Sequence, residues 1–474
     1  MGKKLVKDFS ASTLQIILNQ LCGLIIFYIL SKYLFKEDFG ELNWSIATIS
    51  VLIALTGFGM ELIVVKRIAA GGNVKEIAGL HLIHSFVSAI FFFIILLSVF
   101  FFNAKLNTSH SVFTGISLSL ILSFLASPFK QIANGRRQFH LLMFMSTISN
   151  LIRAVLLSVL LLTSEIRLQN VVLVFIISSL AELTLSGYLI VRQTSLFPLI
   201  WSKKKYFGLV KESLPQFGVV LFNSALARFD WIILGIVTTT IITADYVFAY
   251  KVFELSRLPL LIISPVLVPI FAKLFSAEEM IRQKAIIKLK LLFSIEMFIS
   301  VLIPIVLGIA WTPLMDYITS HKYGALNKNL FLVLSICVPL QFATDYYWNV
   351  CFAQGQLKLT MKVSIFSSLL NILLNIIFIP VFGAIAAAWS YVSCYVLQII
   401  LFKKYAHQEK IKPAVMLLIK TLLNSTAAML ICMLFIKNIY LSVSAALILY
   451  TIFSIITGTL VPKKVKLAIN VFLK

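Results

Sequence analysis

The apolar stretch "SALARFDWIILGIV" (224–237) carries two charges, Arg228 and Asp230. A guanidinium among oily residues is costly unless a partner or water meets it. Its planar fork holds a phosphate or carboxylate through two charge-assisted hydrogen bonds. Arg228 follows Pro215 by roughly 20 Å of helix, too deep for its head to reach the interface easily. Residues two apart do not share a helix face, so Arg228 and Asp230 cannot simply neutralise each other. Asp230 is expected to meet a cation elsewhere or a coupling ion. In "DYVFAYKVFELSRLPLL", Lys251, Glu254 and Arg257 are spaced by three on one face. Glu254 is expected to bridge both cations, either as a structural network or as a charged stripe on a cavity wall. Ser12, Gln15 and Asn19 share a face with Gly23, suited to a polar ligand or to helix–helix hydrogen bonds. Glu61 is read as the partner of an arginine or the carrier of a coupling proton.

Eleven ionisable residues fall within apolar runs: those four cations and acids, Asp230 and Glu61, and Arg153, Lys420, Glu182, Glu296 and Asp345. Lipid exposure would cost each about 2.5 kcal/mol or more, so most must face one another or a watery cavity. Asp345 joins Glu61, Asp230, Glu254 and Arg257 as an ion-pair or coupling candidate. The candidate substrate contacts are Arg228, Lys251, Asn19 and Gln15. His81 and His84 share a face, but no cysteine or carboxylate stands near enough in sequence to make a metal site. The five cysteines lie in apolar runs and read as small buried hydrophobes. Neither a phosphate-cradling glycine loop with Lys-Ser/Thr nor H-E-x-x-H occurs. The expectation is a protein that moves its substrate without altering it, with no enzymatic activity and no cofactor beyond a possible proton or sodium gradient.

These residues must be positioned by membrane helices. The chain of 474 residues is 60% hydrophobic and only 12% charged. Apolar runs recur from end to end, and lipid allows only elements that satisfy their own backbone. The expected fold is all-α and integral to the membrane, with about fourteen transmembrane helices. They cover roughly 10–32, 42–65, 79–102, 111–133, 141–163, 170–191, 215–238, 245–272, 287–311, 329–353, 361–380, 383–402, 413–436 and 439–460. No cleavable signal peptide is expected, because "MGKKLVKD" leads directly into a full-length span. Most of the 41 Lys and Arg fall in the N-terminal tail, the loops after even-numbered spans and the C-terminal tail. That alternation places both termini in the cytoplasm. It also accounts for the net charge of +23 without nucleic acid, as topology charge facing anionic membrane lipids.

A repeat is visible. "IANGRRQF" (132–139) follows the fourth span and "FAQGQLKL" (352–359) the tenth, aligning Gly135 with Gly355. Each precedes a span with a central asparagine, Asn150 or Asn371. A weaker echo pairs "FGELNWS" (39–45) with "ADYVFAY" (244–250). The organisation expected is two six-helix lobes in a parallel pseudo-repeat, 1–191 and 215–404. A basic cytoplasmic linker, 192–214, joins them, and 405–474 adds two C-terminal helices and a basic tail.

Three stretches carry a family likeness: "LFKEDFGELNWSIATISVLIALTGFGMELIVVKRIA", "ARFDWIILGIVTTTIITADYVFAYKVFELSRLPLLIISPVLVPIFAKL" and "FAQGQLKLTMKVSIFSSLLNILLNIIFIPVFGAIAAAWSYV". They resemble the polysaccharide biosynthesis exporters, the O-antigen repeat-unit flippases of the multidrug/oligosaccharidyl-lipid/polysaccharide (MOP) exporter superfamily. The resemblance implies a bacterial inner-membrane flippase working by alternating access. Its substrate would be an undecaprenyl-diphosphate-linked oligosaccharide for O-antigen, capsule or another surface polysaccharide. It further implies a cationic cavity lined by spans one, two, seven and eight, with Arg228 meeting the diphosphate or an acidic sugar. Polymerase and chain-length machinery would be its protein partners. The alternatives are a cation-coupled multidrug exporter and a peptidoglycan lipid-precursor flippase. The cation-exchanging extruders usually carry an acid in the first span, and here none lies between Asp8 and Glu37.

Overall fold

A computed structural model describes residues 2–102, 110–194, 200–260, 264, 271, 279–405 and 415–460. Among them the regular structure is helical throughout. The helices are α1 (Gly2–Tyr33), α2 (Lys36–Thr56), α3 (Met60–Ala69), α4 (Val74–Phe102), α5 (His110–Gly135), α6 (Phe139–Leu162), α7 (Leu168–Thr194), α8 (Lys203–Val237) and α9 (Thr240–Ser256). They continue with α10 (Glu279–Ser300), α11 (Leu302–Thr319), α12 (Gly324–Ala353), α13 (Leu357–Phe382), α14 (Ala384–Tyr405), α15 (Val415–Phe435) and α16 (Ile439–Ile456). Thirteen candidate membrane-crossing helices occur among the described residues. The protein is a multi-pass membrane protein. Of the eighth expected span, 245–272, the part after Leu260 lies outside the described residues apart from Ser264 and Phe271.

Contacts divide the chain into two compact units, Met1–Ala244 and Asp245–Lys474. The repeat and the contacts thus divide the chain by different criteria. Span seven begins the second repeat, yet α8 packs on α2 and α3 in the first unit. Gly235 makes room for the indole of Trp44, whose Nε1 donates to the Ile232 carbonyl at 3.1 Å. In the second unit, α12 packs on α11, α13 and α14 and is the most buried candidate span.

The second span is not one helix as the sequence suggested. It breaks at Gly57–Gly59, where Phe58 (φ 52°) and Gly59 (φ 62°) turn left-handed. Glycine tolerates that region, and its missing Cβ also lets the backbone approach Phe217 of α8. The freed Thr56 carbonyl accepts a hydrogen bond from the Ser88 hydroxyl at 2.9 Å. The ninth span breaks too, at Val301. Pro304 lacks an N–H and crowds the carbonyl four residues earlier, that of Ser300. The basic segment 203–214 is helical rather than a separate loop. It runs unbroken through Pro215 into the seventh span as one helix of 35 residues.

The repeat gains a finer register. At the α5–α6 turn, Gln138 N–H donates to the Ala133 carbonyl (2.9 Å) and Arg137 has φ 58°. At the α12–α13 turn, Gln356 N–H donates to the Cys351 carbonyl (2.8 Å) and Gly355 has φ 72°. Both are the same left-handed helix stop. Arg137 therefore matches Gly355, two positions from the glycine-to-glycine alignment, and Arg153 rather than Asn150 matches Asn371.

Candidate functional site

In the first unit, five helices line an open, partly polar cavity of about 500 Å³. α1 supplies Gln15, α2 Ser50, α3 Glu61, and α5 Ser127, Lys130 and Gln131. The break in span two places Glu61. A new helix starts at Met60, so Glu61 stands in its first turn, where the positive end of the helix dipole favours an acid. Its carboxylate accepts a hydrogen bond from the Ser127 hydroxyl and remains exposed to the cavity. No ion pair joins Glu61 to an arginine among the described residues. Lys130 is held from behind by Glu182 of α7 at 2.8 Å, and the Ser123 hydroxyl donates to the same carboxylate at 2.9 Å. Arg153 lies over the Phe175 ring at 4.0 Å. Asn19 faces α6, where its amide oxygen accepts from Asn150 at 2.9 Å. Gln15 and Glu61 therefore share one cavity, while Asn19 is engaged in helix packing. The Ser12 side chain lies outside the described residues.

Arg228 and Asp230 diverge as their spacing requires. Asp230 is fully buried, and its Oδ1 accepts from the Trp231 backbone N–H at 2.9 Å. Arg228 is half-buried with its guanidinium over the Trp231 indole, 4.3 Å from the ring centre. Its Nη1 also donates to the Ala227 carbonyl at 3.5 Å.

In the second unit, Lys251 and Glu254 pair at 3.7 Å across one helical turn. Arg257 does not complete the expected bridge. α9 ends at Ser256, and the Arg257 backbone N–H donates to the Glu254 carbonyl at 3.2 Å. The Arg257 side chain interacts electrostatically with Tyr395, Tyr391, Tyr250 and Glu254, without an ion pair to Glu254 among the described residues. Those hydroxyls form a chain, Tyr250 to Tyr391 at 3.1 Å and Tyr391 to Tyr395 at 3.3 Å. Asp345 accepts from Asn349 at 2.8 Å, and Asn349 also reaches Ser264 at 3.2 Å. Lys420 donates to the Thr457 carbonyl beyond the end of α16, a capping role.

Lys130, Ser123 and Ser127 were not singled out by sequence. They lie on α5 at i, i+4 and i+7, a polar stripe in an apolar helix. His84 Nδ1 meets the Tyr206 hydroxyl at 3.0 Å, and no metal-holding cluster of His, Cys, Asp and Glu occurs among the described residues.

The family described as polysaccharide biosynthesis protein matches residues 5–275, more than half of the chain. The chain belongs to that family. Among solved structures, the polysaccharide biosynthesis fold resembles lipid II flippase MurJ in an inward closed conformation. There the TM-score is 0.73 at 15% identity, over 94% of this chain and 98% of that one. It also resembles an inward-facing multidrug resistance MATE family transporter of the MOP superfamily. That match has TM-score 0.65 at 15% identity, over 82% and 96% of the two chains. A Vibrio cholerae MATE transporter matches with TM-score 0.52 at 14% identity, over 84% and 98%. At these identities the likeness is one of fold, that of the MOP-superfamily transporters. No curated protein matches the sequence.

Proposed function

We propose that this protein is a flippase that carries undecaprenyl-diphosphate-linked oligosaccharide repeat units across the bacterial inner membrane by alternating access. The product would feed a surface polysaccharide such as O-antigen or capsule. The observation that carries the reading is the polysaccharide-biosynthesis match, in a chain whose fold is that of MOP transporters. The first unit's cavity suits the sugar portion. Its Gln, Ser and Glu groups are the hydrogen-bonding partners that sugar hydroxyls take, and Glu61 adds a strong acceptor. Arg228, stacked and half-buried, suits a diphosphate oxygen. Transport needs no bond made or broken, so the protein is not an enzyme in this reading, and a proton or sodium gradient drives the cycle. Both termini face the cytoplasm, and the polymerase and chain-length machinery act on what is delivered outside.

The test is deletion of the gene. Surface polysaccharide should be lost while lipid-linked repeat units accumulate on the cytoplasmic leaflet, and plasmid-borne wild type should restore both. Normal surface polysaccharide after deletion, with the lipid-linked pool unchanged, refutes the reading. Export of a dye or drug that depends on the gene would support the multidrug alternative instead.

A further inference from the structure

Helices α13 and α14 form a hairpin in the second unit, and a groove of about 1200 Å³ runs along it. Its α13 wall begins with Lys358 and Lys362 and continues through Phe366, Leu370 and Leu373. These residues follow one another at three- and four-residue steps, a single stripe along the helix. The α14 wall is apolar until Tyr405, which lies at the charged end. Polarity is thus graded from one end of the groove to the other. A tyrosine and two lysines mark the level of the membrane surface. From Lys362 to Leu373 the helix rises about 17 Å, close to half of the ~30 Å hydrocarbon layer. The apolar part is therefore as deep as one leaflet.

Lys358 and Lys362 are exposed, and neither joins an ion pair among the described residues. They sit one turn apart, so their ammonium groups can close on one phosphate from two sides. Gly355, beside them, has open space where a Cβ would stand, which leaves the backbone of the turn accessible.

We infer that this groove is a binding site for an anionic phospholipid of the leaflet that Lys358 and Lys362 face. The phosphodiester lies between the two lysines, and an acyl chain lies along Phe366, Leu370 and Leu373. A zwitterionic lipid fits the apolar part equally but carries a cation of its own into a positive site. A polyprenyl chain exceeds the depth of one leaflet. The site is independent of the transported substrate and of the first unit's cavity.

The test uses the full-length protein in detergent, titrated with phosphatidylglycerol, phosphatidylcholine or undecaprenyl phosphate and read by native mass spectrometry. Wild type should retain one phosphatidylglycerol about tenfold more strongly than phosphatidylcholine, given the attraction a surface lysine exerts on anionic lipid. Lys358→Gln/Lys362→Gln should abolish that preference, whereas Lys404→Gln should leave it intact. Leu370→Trp, which fills the trough while keeping both lysines, should weaken both phospholipids. Equal retention of the two phospholipids by wild type overturns the inference. So does an unchanged preference in the double variant, or displacement of phosphatidylglycerol by an equimolar amount of undecaprenyl phosphate. Far-ultraviolet circular dichroism on each variant separates loss of the site from loss of the fold.

Discussion

Glu182 is buried, and it accepts from both Lys130 and Ser123. A buried carboxylate persists in an apolar helix only while its counter-charge is fixed, and removing one partner strands the other. Glu182→Gln should therefore lower stability by about 3 kcal/mol, read as detergent-micelle unfolding. Lys130→Gln/Glu182→Gln should recover most of that loss. Equal melting of the single variant and wild type would show that the pair is not fixed. Glu61 behaves differently. Its carboxylate meets Ser127 and otherwise faces the cavity, so Glu61→Gln should leave abundance unchanged and reduce surface polysaccharide several-fold. Loss of the protein itself would place Glu61 in the fold rather than in transport. Sequence made Lys251 and Glu254 legible because their contact is local, one helical turn. It could not pair Lys130 with Glu182, 52 positions away, nor give Asn19 its partner Asn150. Those contacts depend on which helix faces which, and periodicity within one helix carries no such information.

At the scale of elements, α8 joins what the repeat separates. Its first turns extend beyond the apolar span, since 35 helical residues reach about 52 Å against a hydrocarbon layer of ~30 Å. There Glu212 holds Arg67 at 2.7 Å and Lys66 at 3.2 Å, while Lys205 holds Glu76 at 2.6 Å. Such half-exposed pairs contribute roughly 0–1 kcal/mol each, weak enough to open and close. If span seven moves with the second repeat during transport, these contacts must break in each cycle. A cross-link between Arg67→Cys and Glu212→Cys should then arrest delivery of surface polysaccharide, and a reductant should restore it. Transport that continues at full rate with the link closed would show that α3 and α8 travel together. The helices themselves were legible from length and hydropathy. Their breaks were less so, because a glycine pair such as Gly57 and Gly59 is tolerated in many membrane helices. What decides the break is tertiary: the approach of Phe217 and the hydrogen bond that the Ser88 hydroxyl donates to the Thr56 carbonyl. The repeat was legible too, but off by two, since glycine identity was followed where the left-handed stop sits on Arg137 in one copy.

For the molecule as a whole, orientation follows from charge rather than packing. Loops are solvated on both sides of a membrane, so apolar patterning cannot orient them, whereas the bias of Lys and Arg toward one side can. Basic residues stand at the start of α8, Lys203–Lys205, and in the last turn of α14, Lys403 and Lys404. Asn438 caps α16 by accepting from the Tyr440 and Leu441 N–H groups. Lys204, Lys404 and Asn438 are all exposed, so a reporter at each is accessible to solvent, and the Asn438 substitution gives up one helix cap, a loss of about 1 kcal/mol. In a variant lacking the five buried native cysteines, Lys204→Cys and Lys404→Cys should react with a membrane-impermeant maleimide only after the cells are opened. Asn438→Cys should react in intact cells. The two lysine positions lie in different compact units, so agreement between them tests for an even number of spans between 204 and 404. A single missed or surplus span between 204 and 404 would put the two reporters on opposite sides. Labelling of one lysine position without the other in intact cells would therefore overturn the topology, and with it the assignment of the α13–α14 lysines to the leaflet that both reporters face.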